Sequence, residues 1–228
     1  MRACFLQITV FAALCAGWNV LSGQIANDAN TRYQTHEGRQ QIAQGLANPS
    51  RPTTQKPEAL IQAMSIRPGS VVADVGTGVG FMLPYLSRAV GPQGRVLAED
   101  LFGEFLKTAS EYAQREKLQN VTFIRGSERD PHLPDGQVDI ILALDSYHHY
   151  NYPEQMLSGF HRALKPGGRL VIVEYHKSPQ AMPGGDAMKH IRLDQAGLIR
   201  EVETGHFRLL SKHDHIPEKQ YMAIFARE

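Results

Sequence analysis

Short, almost continuously apolar runs alternate with amphipathic stretches over most of the chain from residue 70 onward. Unbroken hydrophobicity is typical of parallel strands that helices cover on both faces of a sheet. Each interval between two such runs is long enough for a helical crossover, and these crossovers are right-handed. The pattern therefore predicts a doubly wound α/β sheet, with strands at residues 70–76, 95–100, 121–126, 138–144 and 169–176 and helices at 81–90, 104–117 and 153–164.

The C-terminal part of the chain departs from this alternation. Residues 178–186 are rich in Gly and Pro and are predicted to form a mobile loop. A helix follows, with Asp194 as its N-cap and Gly205 as its C-terminal stop. The apolar runs 207–214 and 219–227 are joined by a short connection, so the last strand is expected to run antiparallel to its neighbour.

Residues 27–66 precede the sheet and are predicted to form a short N-terminal helical cap. The stretches 31–47 and 57–66 can each form a short helix, and Leu60, Ile61 and Met64 give the second helix an apolar stripe. Between these stretches, NPSRPTTQKP has the composition of a Pro-rich joint. The main domain is then expected to span residues 67–228.

Residues 1–26 have the three-part layout of a secretory signal: an early arginine, a mostly apolar run, and small residues at the end. Cleavage is expected near Gly23 or Ala26, which would export the protein to the periplasm or the outside of the cell. An uncleaved N-terminal anchor, or a cytoplasmic protein, is the alternative. Both cysteines, Cys4 and Cys15, fall in this segment, so the remaining chain would contain no disulfide, thiolate-bound zinc or catalytic thiol.

Composition limits the partners that the protein can have. The chain has 228 residues, of which 42% are hydrophobic and 21% charged, as in an ordinary soluble domain with a real core. Its formal net charge of +1 shows no basic excess, so neither nucleic acid nor stable membrane insertion of the mature domain is expected. The sequence sets no oligomeric state.

Three glycines, Gly76, Gly78 and Gly80, follow the first predicted strand and precede a helix. Gly76 permits a tight turn, and the next two glycines let backbone amides approach a ligand closely. The spacing is G-x-G-x-G, which differs from the G-x-G-x-x-G of dinucleotide sites. Asp74, inside the strand, would repel a pyrophosphate and favours a ligand that carries positive charge.

Asp100 ends the second predicted strand, where a carboxylate can accept hydrogen bonds from both ribose hydroxyls. Its neighbour Glu99 is expected to point to the other face of the strand. The two features together predict a site for a nucleoside without a 2′-phosphate.

The motifs VADVGTGVG, GRVLAEDL, VDIILALDSYHH and RALKPGGRLVIVEY, taken in order, resemble those of class I S-adenosylmethionine-dependent methyltransferases, and the ubiquinone/menaquinone-biosynthesis (type 11) branch in particular. The resemblance covers roughly residues 55–228. It implies a Rossmann-like, doubly wound, seven-stranded sheet with the last strand antiparallel, and it implies S-adenosyl-L-methionine as the cofactor. It also implies a cofactor-binding set made up of Asp74, Gly76, Thr77, Gly78, Gly80, Asp100, Leu101, Ser127, Glu128 and Asp145.

Within that set, the resemblance implies particular contacts. Asp74, Gly76 and Gly78 would bind the methionine part, and Asp100 would hold the ribose. Ser127 and Glu128 would contact the adenine. Asp145, at the end of the fourth strand, would lie beside the sulfonium.

Methyl transfer from a sulfonium requires alignment and exclusion of water, with a base only where the acceptor carries a proton. His148 and His149, after the fourth strand, are the candidate catalytic residues, and Glu174 and His176 follow the fifth strand. Tyr147 and Tyr150 are expected to form pocket walls. A divalent metal held by Asp145, His149, Glu174 and His176 is the minority interpretation, because no tight ligand spacing supports it; no metal is predicted.

The leading hypothesis is methyl transfer to a small-molecule acceptor, with the helical cap and the 178–186 loop closing the acceptor pocket. A non-catalytic binding module that retains the cofactor site is the second hypothesis. An NAD-dependent oxidoreductase is the third, and the G-x-G-x-G spacing and Asp74 oppose it.

Overall fold

The structure is a computed structural model that describes residues 25–182 and 184–228. The predicted signal sequence therefore lies almost wholly outside the described residues, and export stays a prediction. In the described part of the chain, no helix is both long and apolar enough to cross a membrane.

A seven-stranded sheet forms the centre of the molecule, in the order β3-β2-β1-β4-β5-β7-β6. Strands β1 to β5 are parallel, and β7 runs antiparallel to both β5 and β6. This confirms the predicted doubly wound sheet with its antiparallel last strand. The strands are β1 (Val71–Val75), β2 (Arg95–Asp100), β3 (Val121–Arg125), β4 (Val138–Leu144), β5 (Leu164–Tyr175), β6 (Phe207–Ile216) and β7 (Gln220–Arg227).

Helices cover both faces of the sheet because alternate strand residues project to opposite sides. Val72 and Leu142 pack with Leu83 on one face, whereas Ala73 and Ile141 belong to the core of the other face. The described helices are α1 (Asn27–Asn30), α2 (His36–Leu46), α3 (Arg51–Gln55), α4 (Pro57–Met64), α5 (Leu83–Val90), α6 (Gly103–Arg115), α7 (Pro153–Ala163), α8 (Ala187–His190) and α9 (Gln195–Thr204), with 3-10 turns at Thr31–Gln34 and Tyr147–His149.

The N-terminal cap consists of α1 to α4 and is joined to the sheet by buried apolar side chains. Leu60 and Met64 on α4 have no exposed surface. Burial of such a side chain contributes about 1.5–3 kcal/mol, so α4 is part of the core rather than a loose appendage. Arg39 of α2 pairs with Glu104 of α6, which ties the outer cap to the sheet layer.

Two local predictions were wrong. The segment expected to be a Pro-rich joint contains α3, because Pro52 occupies the first turn of that helix, where its missing N–H costs nothing. The turn that ends α9 is made by His206 with φ 64°, and Gly205 has φ −87°. Gly205 is needed for space instead, since a Cβ there would lie 2.9 Å from the Cβ of Leu157.

Candidate active site

A cavity of about 920 Å³ opens at the carboxyl edge of the sheet, where β1 and β4 are neighbours. The chain winds in opposite directions on the two sides of this point, and such switch points are where α/β sheets bind ligands. Strand ends line one side of the cavity and the helical cap lines the other. Of the ten predicted cofactor residues, eight line the cavity: Gly76, Thr77, Gly78, Asp100, Leu101, Ser127, Glu128 and Asp145.

The glycine loop runs along the floor of the cavity. Gly76 has φ 76°, and a Cβ there would lie 2.7 Å from the Cβ of Ser146 at the end of β4. Gly78 has φ 56°, and its backbone N–H donates to Asp100 Oδ2 at 2.9 Å. Leu46 of the cap lies 3.0 Å from the point where a Cβ on Gly78 would stand. Gly76 thus allows the loop to pack against Ser146 after β4, whereas Gly78 keeps open the space between the loop and the cap.

Asp74 and Gly80 do not line the cavity. Asp74 is buried and accepts a hydrogen bond from Thr77 Oγ1 at 2.7 Å, and burial raises the pKa of its carboxyl to about 6. Gly80 has φ 90°, and its missing side chain makes room for Leu83 and Ala109. In this structure both residues support the glycine loop through contacts within the protein and do not face the cavity.

Asp100 accepts a second backbone hydrogen bond, from Phe102 N to Oδ1 at 2.8 Å. Burial raises the pKa of this carboxyl to about 6. Each carboxylate oxygen has a further lone pair that can accept from a hydroxyl. Glu99 lines the cavity as well, although its place in the strand predicted the other face, and burial raises its pKa well above the ordinary value.

Ser127 and Glu128 line the cavity from the loop that follows β3. Ser127 Oγ accepts from Asp130 N at 3.0 Å and so closes the loop that presents these residues. Glu128 Oε1 accepts from Asn151 Nδ2 at 3.2 Å, and the side chain of Asn151 in turn accepts from Ala26 N.

Asp145 has φ 50°, a conformation that is rare for a residue with a Cβ and typical of functional sites. Its carboxylate accepts from Gln220 Nε2 at 2.7 Å and from Gln55 Nε2 at 2.8 Å. Burial raises its pKa to about 7. The Oε1 atom of Gln55 is buried and has no partner among the described residues, so it is free to accept from a ligand.

The cap contributes residues that the sequence analysis missed. Tyr33 stacks on Phe102 with ring centroids 5.6 Å apart and meets the ring of His149 edge-on at 4.8 Å. Arg51 lines the cavity, with its guanidinium 4.3 Å from the ring centre of Phe81. Burial lowers the pKa of Arg51, and the nearby charge of Asp145 raises it. Arg51 therefore places a cation beside the carboxylates that line the cavity.

The two candidate histidines lie side by side in the 3-10 turn after β4, and both line the cavity. His148 Nδ1 lies 2.8 Å from Glu174 Oε2, and His149 Nδ1 lies 2.9 Å from Asn30 Oδ1. His190, from α8, adds a third imidazole whose Nε2 is 3.2 Å from Nε2 of His148.

Two other candidates lie elsewhere. His176 pairs with Asp214 at 3.1 Å and does not line the cavity. Tyr150 forms part of the wall, as expected. Tyr147 instead enters the core and donates to Glu201 Oε1 at 2.8 Å.

Comparison with known proteins agrees with this geometry. Residues 73–172, from β1 to β5, match the sequence profile of the family described as "Methyltransferase domain". These residues form a methyltransferase domain. The resemblance to S-adenosylmethionine-dependent methyltransferases is thus confirmed, and all ten predicted cofactor residues lie within the domain.

Relatives extend the similarity beyond the methyltransferase domain. The ubiquinone/menaquinone biosynthesis C-methyltransferase UbiE of Azotobacter vinelandii is 29% identical over 155 residues, which is 67% of this chain and 61% of that protein. The chain thus spans less than two thirds of that relative's length. A crystal structure of a SAM-dependent methyltransferase from Aquifex aeolicus is 27% identical with a TM-score of 0.77, covering 82% of this chain and 98% of that one.

A third similarity concerns the fold alone. The crystal structure of the [4+2]-cyclase SpnF is 18% identical to this chain with a TM-score of 0.61, covering 74% of this chain and 79% of that one. Because a protein named for a cyclisation has the same fold, the chemistry of this chain has to be argued from its own site.

Proposed function

We propose that this protein transfers the methyl group of S-adenosylmethionine to a small-molecule acceptor. The observation that carries the proposal is the cavity in which the glycine loop and Asp100 meet Asp145 and the paired histidines His148 and His149. Its volume of about 920 Å³ is sufficient for a nucleoside together with a second small molecule. The buried carboxyls around the cavity favour a ligand with a positive charge. The glycine loop, which has few side chains, leaves space for a nucleoside.

When bound, S-adenosylmethionine supplies an electrophilic methyl group on a positively charged sulfur. Asp100 would hold the ribose hydroxyls, and Ser127 and Glu128 would contact the adenine. Arg51 would pair with the carboxylate of the methionine part, and Gln55 Oε1 would accept from its ammonium group. The half-buried carboxyl of Asp145 would then stabilise the positive charge on the sulfonium.

The helical cap would align the acceptor and exclude water, which is the main requirement of an in-line methyl transfer. The cavity has an aromatic lining, which consists of Tyr33 from the cap, Phe102 and Phe105 after β2, and Tyr175 at the end of β5. An aromatic acceptor of the kind that the name of the UbiE relative indicates is therefore the first class to test. His148 and His149 stay the predicted catalytic residues where the acceptor carries a proton.

Isothermal titration calorimetry with S-adenosylmethionine and S-adenosylhomocysteine tests the cofactor site. A folded protein that binds neither compound would rule the proposal out. Product formation on a panel of phenols, quinols, thiols and amines separates an enzyme from a binding module, because a binding module would release no S-adenosylhomocysteine. Fluorescence titration with NADH is the check on the oxidoreductase hypothesis.

Export of the protein is also a proposal. Ala26 is 3% exposed and its backbone N–H donates to Asn151 Oδ1 at 3.2 Å, beside Glu128. Removal of Ala26 would expose this part of the cavity, which supports cleavage at Gly23 over cleavage at Ala26. Mass spectrometry of the native N-terminus tests whether residues before about Gln24 are removed; an intact Met1 would contradict export by cleavage.

A further inference from the structure

Three imidazole rings converge at the end of the cavity where β4 meets α8. The ring centroids of His148 and His149 are 4.0 Å apart, and His190 lies 4.9 Å and 5.3 Å from them. One ring nitrogen from each residue lies within 4.8 Å of the other two. All three residues line the cavity, so a group held between them would be in contact with bound ligands.

Hydrogen bonds hold two of these rings with the same nitrogen turned outward. Asn30 Nδ2 donates to the backbone oxygen of His149 at 2.9 Å, which orients the amide so that Oδ1 faces the ring. His149 Nδ1 must then be the donor to Asn30 Oδ1, and its Nε2 carries a lone pair. His148 Nδ1 faces both oxygens of Glu174, at 2.9 Å and 2.8 Å, and leaves Nε2 turned outward in the same way.

This is the arrangement that metal-binding histidines have. A ligating imidazole donates its other ring N–H to a carboxylate or carbonyl oxygen, which fixes the ring and raises its basicity. The 3.2 Å between His148 Nε2 and His190 Nε2 is also close to the roughly 3.3 Å that separates two nitrogens on a tetrahedral zinc ion with bonds of about 2.0–2.1 Å.

We infer that His148, His149 and His190 bind a divalent first-row transition metal, zinc in the first place, through three imidazole nitrogens. Three neutral nitrogen ligands of intermediate softness suit Zn²⁺ and its neighbours better than Mg²⁺ or Ca²⁺, which take oxygen ligands. Three protein ligands leave a fourth position for water or substrate, as in catalytic zinc sites.

The charges around the rings favour a bound cation. Glu174 has no exposed surface, and both of its carboxyl oxygens lie within 2.9 Å of His148 Nδ1. A metal on Nε2 of His148 would supply positive charge beside this buried carboxyl, on the far side of the imidazole ring.

The same contacts have a simpler explanation, in which His190 Nε2–H donates to His148 Nε2 and no metal takes part. The two explanations differ in what the third ring does. A hydrogen-bonded pair needs only His148 and His190, whereas a metal site also needs Nε2 of His149, which Asn30 already leaves unprotonated. Measured metal binding by variants of each ring therefore separates them.

This inference rests on the proposed function, and it limits the chemical classes that the acceptor can belong to. A metal in the cavity would bind an oxygen or sulfur of the acceptor and lower its pKa, so that the acceptor reaches the sulfonium already deprotonated. Phenols, enols and thiols then become the expected substrate classes. The three histidines would act through the metal instead of as free bases.

The test uses the full chain without a histidine tag, treated with a chelator and then titrated with Co²⁺ and Zn²⁺. We expect one equivalent of Co²⁺ to give the visible absorption of a four-coordinate nitrogen site, and one equivalent of Zn²⁺ to displace it. His190→Ala and His149→Ala should each weaken the affinity at least tenfold, whereas His213→Ala, which removes an exposed histidine outside the cluster, should leave it unchanged. Far-UV circular dichroism confirms that each variant is folded.

Glu174→Gln provides a second readout that does not depend on loss of a ligand. The amide keeps the size of the carboxyl but cannot carry its charge, so Zn²⁺ affinity should fall 10–100-fold. Absence of stoichiometric binding by the wild type, or equal affinities for wild type and His190→Ala, would overturn the inference. S-adenosylhomocysteine calorimetry on the metal-free protein keeps the two proposals apart, because cofactor binding without metal binding removes only this one.

Discussion

The backbone N–H of Gly78 donates to Oδ2 of Asp100 at 2.9 Å, which joins the glycine loop after β1 to the end of β2. The carboxylate thus orients the loop, and its remaining lone pairs face the cavity. The two elements that the cofactor would touch are therefore one hydrogen-bonded unit. Substitution at Asp100 is expected to affect both.

Asp100→Asn should weaken S-adenosylhomocysteine binding about 10–100-fold, because hydrogen bonds to a charged group contribute about 1.5–3 kcal/mol each. Calorimetry of the variant beside the wild type measures the loss. Asp135→Asn, an exposed carboxyl outside the cavity, is the matched control and should bind like the wild type. Undiminished affinity in a folded Asp100→Asn protein would contradict the assigned site.

The raised pKa of Asp100 predicts how the stability of the empty protein depends on pH. Burial raises this pKa from 3.8 to about 6, so the folded protein binds more protons than the unfolded chain between those two values. The stability due to the neutral carboxyl is complete below about pH 4 and is lost as the pH rises to about 6. Asp100→Asn has no carboxyl to ionise at this position. Its free energy of unfolding should therefore rise, relative to that of the wild type, by up to about 3 kcal/mol as the pH increases from about 4 to about 6. Urea unfolding of both proteins at pH 4 and pH 7 measures the difference.

Ligand affinity should have the opposite pH dependence. A sulfonium cation favours the ionised forms of Asp145 and Asp100, whose pKa values burial raises to about 7 and to about 6. Affinity for S-adenosylmethionine should therefore rise between pH 5 and pH 7. S-adenosylhomocysteine, which lacks the positive charge on sulfur, should show a smaller rise. Equal slopes for the two compounds would mean that these carboxyls do not sense the sulfonium.

The glycines of the loop are expected to fall into two classes. Gly80→Ala places a methyl group 2.9 Å from Leu83 Cδ1 and 3.2 Å from Ala109 Cβ at φ 90°, so it should cost about 1–3 kcal/mol of stability with little effect on ligand affinity. Gly78→Ala faces the cavity and Leu46, and should mainly reduce affinity. Denaturant unfolding and calorimetry on both variants test the division, and the reverse assignment would contradict it.

The sheet and most of the cofactor side of the cavity were predictable because they depend on local patterns. Buried parallel strands form continuous apolar runs, and Asp100 ends such a run at a fixed distance from the glycine loop. The same pattern could not separate Gly78 from Gly80, since the difference depends on whether α6 or the cavity lies opposite. That is a tertiary relationship, and the spacing of glycines does not encode it.

The site residues that the sequence analysis missed lie in segments without a periodic pattern of apolar residues. Arg51 lies in a Pro-rich stretch, and His190 follows the Gly- and Pro-rich residues 178–186. Neither segment has an apolar pattern that would place it in space. Pro52 in the first turn of α3 was the available signal for a helix there. For His190, the sequence offers no comparable signal.

Arg51 is predicted to recognise the amino acid part of the cofactor, because it places a half-buried cation beside Asp145 in the cavity. Arg51→Gln should weaken S-adenosylhomocysteine binding at least tenfold, as expected for loss of a charge-assisted pair. It should leave the affinity for 5′-methylthioadenosine, which lacks the amino acid part, close to that of the wild type. Arg88→Gln, an exposed arginine of α5, is the control and should change neither affinity. If Arg51→Gln weakened both ligands equally, Arg51 would be supporting the cap through Leu46 and Phe81 instead of binding a carboxylate.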